Sequence, residues 1–219
     1  MASPSFHKFR FAVEFCTLFF GVPVAYTLGW MPITIMPLLL VMAALCWLAL
    51  NRLHQIAVMD LLKTRVAPGE WRRILSVNVA AIPVLIILLW LLRPAALFGL
   101  VLGHPKIWLL VMFAYPILSV FPQELIYRAF LFKRYHPLFG HGFGMIVASA
   151  AAFGFGHIVF HNWPAVALTF IGGLLFARTY QRTSSLIAVA AEHALYGCTV
   201  FTIGYGAYFY EGTLRLLRQ

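Results

Sequence analysis

Ile107–Phe132 reads IWLLVMFAYPILSVFPQELIYRAFLF, an almost unbroken apolar run carrying Pro116, Pro122, Gln123, Glu124 and Arg128. A helix crossing the hydrocarbon needs about 20 mostly apolar residues, and this stretch is long enough. Similar runs surround it. Hydrophobic residues make up 63% of the 219-residue chain and charged residues 10%, with mean hydropathy +0.89. An ordinary soluble domain is roughly 45–50% apolar and about 25% charged. A soluble fold of this size cannot hide that much apolar surface, and disordered chains are polar. The composition therefore predicts an all-α, polytopic transmembrane bundle.

Seven spans are expected: Phe11–Trp30, Pro32–Asn51, Ile74–Leu92, Ile107–Phe132, Gly142–Phe160, Pro164–Ala177 and Leu186–Tyr208. The sixth is short. Pro94–Gly103 is too short to cross and reads as interfacial. The first span follows Lys8 and Arg10 without a small-residue cleavage pattern, so it reads as a retained anchor. With the N-terminus in the cytoplasm, inside segments carry eleven Lys and Arg: Lys8, Arg10, Arg52, Lys63, Arg65, Arg72, Arg73, Lys133, Arg134, Arg178 and Arg182. Outside segments carry four: Arg93, Lys106, Arg215 and Arg218. That asymmetry follows the positive-inside rule and predicts a multi-pass protein of the cell inner membrane, embedded in the lipid bilayer. It also explains the net charge of +10 without nucleic acid, which is not an expected partner. The chain divides into N-terminal transmembrane helices over 1–106, a core over 107–203 and an amphipathic tail over 204–219. Cys16, Cys46 and Cys198 lie in apolar runs and read as buried thiols.

A charge at mid-membrane costs about 2.5–3.5 kcal/mol even on lenient scales. The charges and histidines inside the spans are therefore the candidate site. They are Glu14, Glu124, Arg128 and Glu192, with His157, His161 and His193. Asp60, Glu70 and Glu211 are expected in loops. Glu124 and Arg128, four apart, share a helix face. Pro116 and Pro122 remove backbone donors upstream of them. His157 follows paired glycines in Phe153-Gly154-Phe155-Gly156-His157, and His161 follows one turn later, at what reads as a helix end. Glu192 and His193 are adjacent, about 100° apart on a helix, so one faces the site while the other supports it. Glu14 has no identifiable partner, and a structural hydrogen bond is its expected role.

In this order, Gln123-Glu124-Leu125-Ile126-Tyr127-Arg128, Phe153-x-x-x-His157 and His193 in Glu192-His193-Ala194-Leu195-Tyr196-Gly197 resemble three motifs. They are those of the CAAX-protease and bacteriocin-processing family (CPBP, also called Abi). The resemblance covers roughly Trp108–Phe201. It implies an intramembrane endopeptidase that hydrolyses peptide bonds of membrane-associated proteins or peptides with an activated water. It further implies that the first Glu position and His157 activate the water. His193 and a final Asn position would stabilise the oxyanion, and Glu124 would orient and neutralise Arg128. Two positions depart: the first Glu is Gln123, which cannot serve as a base, and the Asn is Gly197, which has no side-chain donor.

Three explanations stay open. The protein is a non-cleaving relative with a binding or immunity role. Or the base has moved to Glu124 or Glu192 beside His157. Or Gln123 orients a water that another group activates. No cofactor is expected, although the family has also been classed as metalloproteases. A divalent metal such as zinc on His157, His161, His193 and Glu124 is the open alternative.

Overall fold

The computed structural model describes residues 4–53, 61–62 and 66–209. The described residues form helices and turns with no strand. The seven long helices are α1 (Phe6–Thr27), α2 (Ile35–Leu53), α3 (Pro68–Leu92), α4 (Pro105–Arg134), α5 (Phe143–Gly156), α6 (Trp163–Thr183) and α7 (Leu186–Ile203). A 3-10 turn, His157–Phe160, extends α5, and another, Tyr205–Phe209, follows α7. Six helices are long and apolar enough to cross a membrane: α1, α2, α3, α4, α7 and α5 with its turn. The protein is an integral membrane protein. Residues 210–219 of the expected tail, and the loop residues Asp60, Lys63 and Arg65, lie outside the described residues.

The sixth expected span, Pro164–Ala177, is part of the longer α6. Its 21 residues give a length of about 32 Å at 1.5 Å per residue. Its last turns carry Arg178, Gln181 and Arg182, which lower its mean apolarity. One face of this helix packs on α5, while Trp163 and Ile171 remain exposed. A Cβ added at Gly154 of α5 would stand 2.9 Å from Phe170 Cβ, and one at Gly173 would stand 3.0 Å from Ala150 Cα. Small residues allow this close approach, as they do wherever membrane helices pack without a hydrophobic driving force between them. Local chemistry fixes the ends. Asn162 and Ser185 cap α6 and α7 through their side-chain oxygens, which accept from Ala165 N at 2.9 Å and Ala188 N at 3.2 Å.

Contacts between helix ends fix which ends share a membrane face. Glu14 of α1 accepts from Arg134 Nε and Nη2 at 2.8 and 2.7 Å and from the Tyr135 hydroxyl at 3.0 Å, at the end of α4. Glu14 thus has the structural partner that could not be named from sequence. Gln181, near the end of α6, donates to the carbonyls of His141 and Gly142. At the other face, Phe98 N donates to Ile203 O at 2.8 Å and Asn162 Nδ2 donates to Tyr208 O at 2.8 Å. The ends of α3 and α7 therefore meet the start of α6. Val79, Val84, Trp90 and Leu91 of α3, with Leu110, Phe113 and Ile117 of α4, are exposed apolar side chains positioned to meet lipid.

Two sequence expectations are corrected: among the cysteines expected to be buried, Cys16 is exposed, Cys198 is half-buried and Cys46 alone is buried, and Glu70 is not a loop residue. Glu70 belongs to the first turn of α3 and is buried. Pro68 starts the helix earlier than the apolar run suggests, and Glu70 and Arg73 face α6 and α7 while Arg72 stays exposed.

Candidate active site

The site is built around α4, which does not wind uniformly. It contains two π segments, Pro116–Val120 and Leu125–Phe130. Pro116 and Pro122 each lack the N–H that a regular ladder requires. Tyr115 and Glu124 are nine residues apart, about 900° along a regular helix and so on opposite faces. A π turn absorbs one extra residue, which reduces their separation to about 80° at about 100° per residue. Both side chains accordingly reach the same residue on α7, His193.

Glu124 lies at the centre. Its Oε1 accepts from His193 Nδ1 at 2.7 Å, and its Oε2 pairs with Arg128 Nε at 3.1 Å. Glu124 and Arg128 are both 0% exposed. A buried ion pair survives only when its remaining polar atoms are also accommodated. Arg128 Nη1 donates to Ser149 Oγ at 3.0 Å, and Ser149 passes the bond to Tyr127 O at 2.8 Å, while Nη2 is buried with no hydrogen-bond partner among the described residues. The guanidinium lies 4.9 Å from the Phe153 ring centre and 5.7 Å from that of Phe176, where cation–π attraction offsets part of the lost hydration. His193 stacks on Phe176 with centroids 4.5 Å apart and meets Phe153 edge-on at 5.4 Å. These two phenylalanines therefore wall in the whole triad.

His157 stands where α5 gives way to its 3-10 turn. Its Nδ1 is 2.7 Å from Phe153 O. A carbonyl only accepts, so Nδ1 carries the hydrogen and the neutral ring keeps its lone pair on Nε2. Its ring meets the Phe153 ring edge-on at 4.8 Å. Both candidate imidazoles thus touch one phenylalanine.

The two departures from the family motifs have defined surroundings. Gln123 Nε2 donates to Ser119 Oγ at 2.7 Å, and Gln123 Oε1 is buried without a hydrogen-bond partner among the described residues. A Cβ at Gly197 would overlap the Tyr115 ring, 2.7 Å from its Cζ and closer still to the hydroxyl. That hydroxyl is 3.0 Å from His193 Nε2.

Glu192 lies elsewhere. It is 0% exposed, and its Oε1 accepts from Arg73 Nη2 at 2.9 Å and from the Tyr196 hydroxyl at 3.1 Å. Arg73 also binds Glu70 at 2.6 Å and the Thr179 hydroxyl, and Arg182 pairs with Glu70 at 3.1 Å. This second cluster, with both carboxylates buried, joins α3 to α6 and α7. His161 is exposed, in a left-handed turn at φ 55°. Among the described residues no three His, Cys, Asp or Glu side chains gather to hold a metal. Nδ1 of both His157 and His193 and both oxygens of Glu124 are already engaged. Among the described residues His157, His161, His193 and Glu124 do not come together as a ligand set.

Residues 105–199 match the family described as type II CAAX prenyl endopeptidase, Rce1-like. The segment is an Rce1-like domain of the CPBP family. No curated protein and no solved structure matches the chain. The Rce1-like domain opens with α4 and closes within α7, so it contains Gln123, Glu124, Arg128, His157 and His193. Helices α1–α3 lie outside it, yet Arg73 of α3 reaches into it. Sequence reasoning missed Tyr115, Ser149 and Phe176, which sit in apolar or small-residue runs where their types are ordinary. Arg73 was read only as a topological charge.

Proposed function

We propose that the chain is an intramembrane endopeptidase acting on membrane-attached proteins or peptides near their C-termini. The observation that carries this reading is the pair of imidazoles against Phe153, each with Nδ1 anchored, one to a carbonyl and one to Glu124. His157 Nε2 takes a proton from water as the water oxygen bonds to the scissile carbonyl carbon. The proton then passes to the leaving nitrogen as the C–N bond breaks. His193, held in place by Glu124, positions the donor to the developing oxyanion. Arg128 offsets the Glu124 charge, leaving it an orienting group.

An apolar groove of about 730 Å³ runs beside α5, lined by Phe20, Gly154, Phe155, Ile158, Trp163 and Phe170. It suits a hydrocarbon-anchored substrate, and the family description supplies the prenyl group as the one to try. The orientation proposed is N-terminus in the cytoplasm of an inner membrane, from the loop charges.

A second reading rests on Gln123, whose amide cannot accept a proton at the motif's base position. In it the protein binds such peptides without cutting them. A quenched, farnesylated Cys-aliphatic-aliphatic-Xaa peptide, incubated with the protein in liposomes, separates the two. Cleavage is expected, with kcat falling about 10²–10⁴-fold in His157→Ala. Binding without cleavage in the parent, together with cleavage by Gln123→Glu, would establish the second reading instead.

A further inference from the structure

Tyr115 is a half-buried phenol that the motifs leave out, yet its hydroxyl reaches the ring atom of His193 that faces away from Glu124. Three features put it there. The π turn that begins at Pro116 rotates Tyr115 toward α7. Phe201 meets its ring edge-on, with centroids 5.1 Å apart. Gly197, one helical turn beyond His193, leaves the hollow that the phenol fills, and any side chain at 197 would collide with it. The phenol of α4 and a side chain at 197 therefore compete for one volume beside one imidazole.

We infer that Tyr115 is the hydroxyl donor of this site, supplying from α4 the hydrogen bond that a polar side chain at position 197 would supply from α7. The inference rests on the peptidase reading. His193 Nδ1–H is committed to Glu124, so the neutral ring offers Nε2 as an acceptor and the Tyr115 O–H donates to it. A peptide carbonyl that takes on negative charge nearby is the stronger acceptor. The hydroxyl turns about its C–O bond to donate to that oxygen. No covalent bond to Tyr115 forms or breaks. A donor held ready in a dry site contributes most as charge develops. Tyr115 thus acts as a catalytic residue on the reacting oxygen.

The test uses the full chain in liposomes and the quenched farnesylated peptide. Tyr115→Phe is expected to lower kcat about 10²-fold, the usual loss of one oxyanion donor, with KM nearly unchanged. Gly197→Asn alone is expected to lose activity, because the phenol occupies the space. Combining Tyr115→Ala with Gly197→Asn is expected to recover roughly tenfold over Tyr115→Ala, since an amide in the vacated volume restores part of the donor effect. The inference is overturned if Tyr115→Phe turns over like the parent. It is equally overturned if the double variant is no better than Tyr115→Ala alone. A parent that cleaves nothing sinks the peptidase reading itself, a result distinct from either of these.

Discussion

Among the described residues two carboxylates are fully buried, and their surroundings give them different work. Glu124 divides its oxygens between a guanidinium and an imidazole. Glu192 faces Arg73 and Tyr196. Replacing Glu124 with Gln leaves Arg128 buried without a counter-charge, at a cost of about 3–5 kcal/mol. Denaturant unfolding in detergent micelles checks that figure, and turnover should fall with it. Glu192→Gln should lower stability too, but leave kcat near that of the parent, because Glu192 touches neither imidazole. A collapse of kcat without unfolding in Glu192→Gln would mean that Glu192 is the displaced base after all. The sequence made Glu124, Arg128, His157 and His193 visible because ionisable groups are conspicuous in an apolar run. Tyr115 and Phe176 carry no such contrast. Glu70 and Arg73 were hidden for the opposite reason, by a polar stretch that resembles a loop.

At the scale of the helix, hydropathy reports the average surroundings of a segment rather than whether it crosses. α6 falls short on that average although it is about as long as its neighbours, because it lies against α5 and need not satisfy lipid on every side. The α5–α6 crossing is set by two glycines whose missing methyl groups admit Phe170 and Ala150. Gly173→Leu should therefore cost about 1–3 kcal/mol through overpacking, measurable as a lower unfolding midpoint in the same micelles. An unchanged midpoint would show that the helices separate without penalty. The π turns of α4 were beyond a sequence reading. Pro116 and Pro122 announce an irregularity, but its sense and extent depend on what α7 presents to the helix.

Across the whole molecule, hydrogen bonds group the helix ends into two faces. Lys133 and Arg182 belong to one, and His104 and Trp163 to the other. With Cys16, Cys46 and Cys198 replaced by Ser, single cysteines at Lys133 and Arg182 should react with an impermeant thiol reagent from the same side of sealed vesicles. Cysteines at His104 and Trp163 should react from the opposite side. Labelling of Trp163 and Arg182 from one side would remove α6 from the spanning set.

The Arg73–Glu192 contact also limits how portable the Rce1-like segment is. A chimera that grafts residues 105–199 onto foreign helices would carry an anion into hydrocarbon with its cation left behind. Such a graft should assemble only after Glu192 is neutralised, or when the donor scaffold supplies an arginine at the matching depth.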